Sequence, residues 1–157
     1  MLEMEIIEYE NRYQPHFKRL NLEWLDKYNL TESHDLEILN DPEGTVINKG
    51  GRIFLAMDGE QVIGTAGLWK KNEREYELVK MSVDPAYQGR GISKHLLDRC
   101  LEEARKINAE KIILFSNSQL QTALRLYEKY GFRSVAVTGT PMLTADVKME
   151  LTLSSNQ

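Results

Sequence analysis

The run "VKMSVDPAYQGRGISKHLL", residues 79–97, changes character twice. It begins as an alternating apolar strand, breaks at Asp84-Pro85, passes through Gln88-Gly89-Arg90-Gly91 and resumes as an amphipathic helix. Most helices open on a simple Ser, Thr or Asp cap. A glycine-rich mouth instead lets a ligand approach the backbone closely, and the free N–H groups of a first turn suit an anion. Gly89, Arg90, Gly91, Ile92, Ser93 and Lys94 would present successive N–H groups, with about half a positive charge added by the helix dipole. Arg90 and Lys94 supply local cations. Two nucleotide motifs fail on the count. G-x-x-x-x-G-K-[ST] from Gly89 requires a glycine where Lys94 stands, and G-x-G-x-x-G from Gly89 and Gly91 meets the same lysine. A pyrophosphate cradle remains, beside the alternative of a glycine-rich turn with no ligand.

Other chemistry is sparse. His16, His34 and His95 show neither metal-ligand spacing nor a persuasive Ser-His-Asp order, so no metal is expected. Cys100 is the only cysteine, which excludes an intrachain disulfide, and its neighbours Leu96, Leu97, Leu101 and Ala104 mark it as a core residue.

The elements that must position the loop fit one domain over residues 1–153, with "SSNQ" at 154–157 as a short tail. A chain of 157 residues buries roughly 70% of its unfolded surface. Net charge is −4, so nothing in bulk draws the chain to nucleic acid or an anionic membrane, and a bound phosphate must be held locally. No basic stretch precedes an apolar run at the N-terminus, and no segment nears the ~20 apolar residues of a membrane span, so a cytoplasmic home is expected.

The patterning predicts a strand near Met4–Glu8, then a helix opened by Pro15 and carrying Phe17, Leu20, Leu22, Trp24, Leu25 and Tyr28. A second helix near Ser33–Leu39 ends before Asp41-Pro42. "GGRIFLAMDGEQVIGTAGLWK" reads as a hairpin turning at Asp58-Gly59. A turn at Lys71–Arg74 leads to a strand over Glu75–Val83, whose alternation puts Glu77, Val79, Met81 and Val83 on one face. A helix over Ile92–Ile107, a doubly buried strand at "KIILF" (111–115) and a helical segment Gln119–Tyr130 follow. Gly131 stands in the C′ position with Phe132 closing the cap. Strands near Arg133–Thr138 and Ala145–Leu153 finish the chain. The order β-α-α-β-β-β-α-β-α-β-β is an α/β arrangement: a mixed sheet, helices on both faces, and a parallel strand–helix–strand step from Glu75 to Phe115.

"VDPAYQGRGIS" resembles the acyl-CoA-binding signature Q/R-x-x-G-x-G/A of the GNAT superfamily of N-acetyltransferases. Gln88 and Gly91 match, and Ser93 stands where glycine or alanine is usual. "YELVKMSV" resembles the family's preceding strand, "LRLYEKYGF" its second signature and "ADVKMEL" its closing strand, so the likeness covers essentially the whole chain. The resemblance implies a mostly antiparallel central sheet and transfer of an acetyl group from acetyl-CoA to an amine without a covalent enzyme intermediate. It implies a general base at Glu77, working on an otherwise apolar face, and a general acid at Tyr127, although Tyr127 also falls on its helix's packing stripe. Backbone groups of Met81, Ser82 and Val83 would meet the thioester and pantetheine arm. Many members carry an asparagine seven residues before the tyrosine, which is Leu120 here; Asn117, ten before it, is the available substitute. The acceptor would be a small-molecule or peptide amine, governed by the first two helices through Trp24, Tyr28, His34, Asp35 and Glu37. A homodimer is compatible with this reading. The rival is a module of the same fold that binds or senses acyl-CoA without turnover.

Overall fold

The structure is a computed structural model that describes residues 4–140 and 143–153; the expected tail at 154–157 lies outside them. Strand β1 (Met4–Glu8) leads to helices α1 (Gln14–Lys27), α2 (Ser33–Asn40) and the single turn α3 (Pro42–Thr45). The meander β2 (Arg52–Asp58), β3 (Gln61–Lys70) and β4 (Glu75–Val83) follows, then α4 (Ile92–Lys106), β5 (Lys111–Ser116), α5 (Gln121–Lys129), β6 (Arg133–Val135) and β7 (Val147–Thr152). One sheet holds all seven strands in the order β1-β2-β3-β4-β5-β7-β6, and β4–β5 is its parallel pair. The expected mixed sheet and its strand–helix–strand step are both present.

Period-two alternation in β2 feeds two cores. Ile53, Leu55 and Met57 pack with Phe17, Leu20, Ile38 and Leu39 beneath α1 and α2. Phe54 and Ala56 face the opposite way, toward Leu96, Leu97 and Cys100 of α4. A Cβ on Gly64 would sit 3.0 Å from Leu96 and 3.2 Å from Ile92, so glycine there sets how closely α4 lies on β3.

The hairpin differs by one residue from the sequence expectation. Asp58 pairs with Gln61, and Gly59, at φ +59°, forms the turn with Glu60. Helix α5 starts at Gln121 rather than Gln119, because Asn117 first closes a turn by accepting the N–H groups of Gln119 and Leu120. At its other end Gly131 (φ +98°) donates to Glu128 O at 3.0 Å and Phe132 donates to Tyr127 O at 3.1 Å. That is the paired bonding of a Schellman cap, with the Phe132 ring edge-on to Tyr127. Strands β6 and β7 are shorter than expected; Asp146 lies just before β7, its N–H donating to Ser116 O at 3.2 Å and its carboxylate accepting from the Ser118 N–H and hydroxyl.

The main departure lies within β4. Gly67 pairs with Val79 but Thr65 pairs with Ser82, leaving an extra residue at Lys80–Met81, and Lys80 takes the left-handed backbone at φ +52°. The bulge reverses the alternation beyond it. Ser82, not Val83, shares the face of Glu77 and Val79, while Val83 joins Tyr76 and Leu78 in the core under α4. The expected single face of Glu77, Val79, Met81 and Val83 is therefore corrected by one inserted residue.

Two contacts hold the bulge. The Thr65 hydroxyl donates to Lys80 O at 2.7 Å and accepts from Asn21 Nδ2 at 3.1 Å and from Ser82 Oγ at 3.0 Å. The Lys80 ammonium reaches across to Asp35 of α2, which is fully buried. On the other side, the β4–β5 ladder ends at Glu77↔Ile113, and the strands part beyond it. Thr65→Val keeps the shape but strands the Lys80 carbonyl and leaves Ser82 without its acceptor. Urea unfolding should show a loss of about 1–3 kcal/mol at unchanged m-value; an unchanged midpoint would mean that Thr65 does not hold the bulge.

Candidate active site

A groove of about 530 Å³ runs between the end of β4, the glycine loop, the start of α4 and α5. Its floor is built locally. Asp84 donates its N–H to Ile63 O at 2.8 Å and caps the 3-10 turn Pro85–Tyr87 through Ala86 N at 2.9 Å. The Tyr87 hydroxyl donates to Asp58 at 2.8 Å, and the Arg90 guanidinium lies 5.3 Å from the Tyr87 ring. Gly89 (φ +81°) and Gly91 (φ +77°) carry the chain round in the left-handed region. No side chain caps α4. A Cβ built on Gly89 or Gly91 meets nothing within 4 Å, so the space above this helix mouth is open.

The expected cradle residues are brought together. Gln88, Gly89, Gly91, Ile92, Ser93 and Lys94 line the groove, with Arg90 on its rim over Tyr87. Ile92 is 2% exposed, its side chain in the core, so its contribution to a ligand is its N–H. Met81, Ser82 and Val83 line the same groove. Ser82 and Val83 are buried, so here too the backbone is what the groove can use. Since β4 has already left β5, the groups on that edge are free of the parallel ladder.

A narrower cavity of about 120 Å³ lies on the α1–α2 side and contains Glu77, Trp69, His34, Asp35 and Lys80 in its wall. It meets the groove at a shared wall of Trp24, Met81, Leu120, Ala123 and Tyr127. Tyr127, projecting from α5, is 7% exposed, and among the described residues its hydroxyl has no hydrogen-bond partner. Burial pushes its pKa up, reinforced by the neighbouring Cys100 thiol. Glu77 is 8% exposed. Burial raises its carboxyl above the usual range; Lys71, at 3.3 Å, offsets that most, and Lys80 and His34 offset it less.

Asn117 has a different task from the expected one. Its Nδ2 donates to Thr144 O at 2.7 Å and its Oδ1 accepts from Gln119 N at 3.0 Å. Both ends of the amide are engaged in fastening the β5–α5 turn to the segment before β7, and it lines the narrow cavity rather than the groove. Of the acceptor-side expectations, Trp24, His34 and Asp35 line the cavity and Tyr28 lines the groove, whereas Glu37 lines neither. Sequence reasoning missed Lys80, Thr65 and Asn21 as the framework of the site, and Trp69 beside Glu77. A lysine inside the apolar run "LVKMSV" was the available signal for the bulge. Among the described residues, no group of three or more His, Cys, Asp or Glu side chains could hold a metal ion. Among the same residues, no helix is long and apolar enough to cross a membrane.

Comparison with known proteins agrees with this geometry. The model of the acetyltransferase (GNAT) family matches residues 5–132. An uncharacterized N-acetyltransferase of Bacillus subtilis, YvbK, is 29% identical over 109 residues, covering 68% of this chain and 70% of that one. Two further relatives are matched over only 32% and 63% of their own lengths. A GNAT-family acetyltransferase structure from Staphylococcus aureus superposes with a TM-score of 0.88 at 25% identity, covering 97% of this chain and all of that one. The fold is also that of the paia N-acetyltransferase of Thermoplasma acidophilum in complex with coenzyme A, with a TM-score of 0.76, 17% identity, and coverage of 97% and 100%.

Proposed function

The chain belongs to the GNAT family of acetyltransferases, and on that premise we propose that it transfers the acetyl group of acetyl-CoA directly to a primary amine, with Glu77 as general base and Tyr127 as general acid. The observation that carries this reading is the shared wall. A groove that ends at an uncapped helix mouth meets a cavity holding a buried carboxylate, and the phenol of Tyr127, with no hydrogen-bond partner among the described residues, stands between them.

In this reading the N–H groups from Gly89 to Lys94 hold the pyrophosphate of acetyl-CoA, with Gln88 beside them and Arg90 and Lys94 adding positive charge that the net −4 of the chain does not supply. The parted edge of β4 at Met81–Val83 offers its backbone to the pantetheine arm as a neighbouring strand would. Glu77 takes a proton from the incoming ammonium, directly or through a water. Its raised pKa makes it the stronger base once ionised, and Lys71 keeps it from being neutralised outright. Tyr127 stays protonated at neutral pH because burial opposes its ionisation, and it delivers that proton to the departing thiolate. The acceptor is a small amine or a peptide amine. Release of free thiol from acetyl-CoA across a panel of amines tests the reading; binding of acetyl-CoA with no amine-dependent release would leave a binding module.

Three outcomes are expected. Gly91→Val should weaken acetyl-CoA binding measured by calorimetry, because its side chain enters the open space at the helix mouth and strains a φ of +77°. Unchanged affinity would take the loop out of the cofactor site. Tyr127→Phe keeps the ring packed on Phe132 and should cost roughly 10²-fold or more in kcat with near-normal acetyl-CoA affinity. A fully active variant would leave Tyr127 a packing residue. For Glu77, the base form fills as pH rises through a pKa lying above the ordinary carboxylate range, so wild-type kcat/KM should climb there. Glu77→Gln should lose that limb, and its deficit should shrink toward the amine's own pKa. Parallel pH profiles would count against Glu77.

A further inference from the structure

The turn between β3 and β4 sets one lysine against two side chains of the cavity wall. Lys71 Nζ lies 4.1 Å from the centroid of the Trp69 ring and 3.3 Å from Glu77 Oε1, with its side chain about one-third exposed at 32%. Trp69 and Glu77 are register partners on β3 and β4, and both line the narrow cavity. The His34 ring lies tilted against the same tryptophan, with centroids 6.1 Å apart. An aromatic face together with a carboxylate is what a primary ammonium recognises. The cavity's other acid, Asp35, has one oxygen on Lys80 and the other on the Glu32 N–H at 2.8 Å, so it has little left for a ligand.

We propose that Lys71 is a tethered stand-in for the acceptor, its ammonium occupying the subsite that Trp69 and Glu77 form for a substrate's primary ammonium on a slender alkyl chain. The inference rests on the acetyltransferase reading for its chemistry, but not for the binding it describes. Three features fix the class. The subsite already holds an alkyl ammonium. The cavity, at about 120 Å³, is well below the roughly 300 Å³ at which pockets begin to enclose drug-sized molecules, which favours a small amine over one built from several rings. Its unsaturated charged group is Glu77, which disfavours a carboxylate next to the reacting amine. Lys71 sits on a turn after the last residue of β3, so it can swing out to solvent when an acceptor arrives. Until it does, it shields the negative charge of Glu77 and competes as an intramolecular ligand.

The test compares wild type, Lys71→Met and Lys71→Arg at a pH well above the carboxylate range, so that Glu77 stays ionised without its lysine. Butylamine and a blocked lysine peptide are the probes, and glycine is the carboxylate-bearing control. If Lys71 fills the subsite most of the time, its removal frees that fraction. Lys71→Met should then lower the KM for butylamine by about three- to ten-fold, and tighten calorimetric binding of butylamine without acetyl-CoA to the same extent. Lys71→Arg keeps the cation and should stay close to wild type, which separates occupancy from damage to the turn. Glycine should gain nothing from the methionine variant. Improvement with the peptide as well as butylamine would assign the subsite to protein lysines; improvement with butylamine alone would assign it to a free alkylamine. Unchanged or weaker butylamine binding in Lys71→Met would overturn the proposal. Tighter binding without any acetyl transfer would sustain it and sink the acetyltransferase reading instead.

Discussion

The site rests on one lysine held in a conformation that lysines avoid. At φ +52°, Lys80 costs about 1–2 kcal/mol relative to an ordinary strand residue. Its carbonyl is fixed by Thr65 and its ammonium by buried Asp35. Breaking such a pair by removing one partner costs about 3–5 kcal/mol, because a buried charge is left alone. The clamp therefore outweighs the strain. Its consequences are geometric. The strand presents Glu77 and Ser82 to the α1–α2 side and Val83 to the α4 core, which an unbroken alternation cannot do. The bulge lies where β4 leaves β5, and groove and cavity meet at Met81, within it.

The clamp also explains why α2 has to lie where it does. Asp35 spends one oxygen on Lys80 and the other on the N–H of Glu32, so the start of α2 and the bulge of β4 are fastened by a single carboxylate. Glu32 in turn accepts the N–H groups of Leu143 and Thr144 at 3.0 and 2.9 Å, which draws in the segment that walls the cavity opposite α2. Burial alone would raise the Glu32 pKa, but these hydrogen bonds from Thr144 and Leu143 more than offset it and hold the carboxyl below its usual range. Helix α2, the bulged strand β4 and the segment before β7 form one connected set of polar contacts.

Much of this was readable in the sequence, for physical reasons that differ by element. Helices α1, α2 and α4 announce themselves because one apolar stripe packs on one sheet face. "KIILF" does so because Ile112, Ile113 and Leu114 are buried together. Gly131 was legible as a cap because a left-handed residue after a helix is usually glycine, with asparagine the alternative used by Asn29 and Asn108, and the glycine loop because two glycines precede a helix with no other cap. The bulge was not legible. Lys80 adopts a glycine-like φ without being glycine, and its stabilising partners lie 15 and 45 residues away in sequence. The same non-locality hid Asn117, whose amide looks free for a ligand until Thr144 arrives from beyond α5 and β6. Local signals fix single elements; contacts between distant segments decide which polar groups remain available.

That availability divides the polar groups of the site more sharply than burial does. Asp35 and Glu77 are both buried carboxylates in one cavity. Asp35 has both oxygens committed to short hydrogen bonds, whereas Glu77 has a single contact, at 3.3 Å, to a lysine on a turn. Among the tyrosines the contrast runs between anchored hydroxyls and those of Tyr76 and Tyr127, both buried residues whose hydroxyls donate to no described residue. Tyr9, Tyr87 and Tyr130 donate to Asn11, Asp58 and Asp98, and each is thereby anchored. Tyr127 is as buried as a core residue, yet its hydroxyl donates to no described residue and stands in the wall between groove and cavity. Among the described residues no fully buried side-chain polar atom lacks a partner, so the Tyr127 oxygen, although its ring is buried, reaches the open space of the cleft. Under the proposed reading, the phenol of Tyr127 and the singly contacted carboxylate of Glu77 are the groups left to move protons where an acyl donor and an amine would meet.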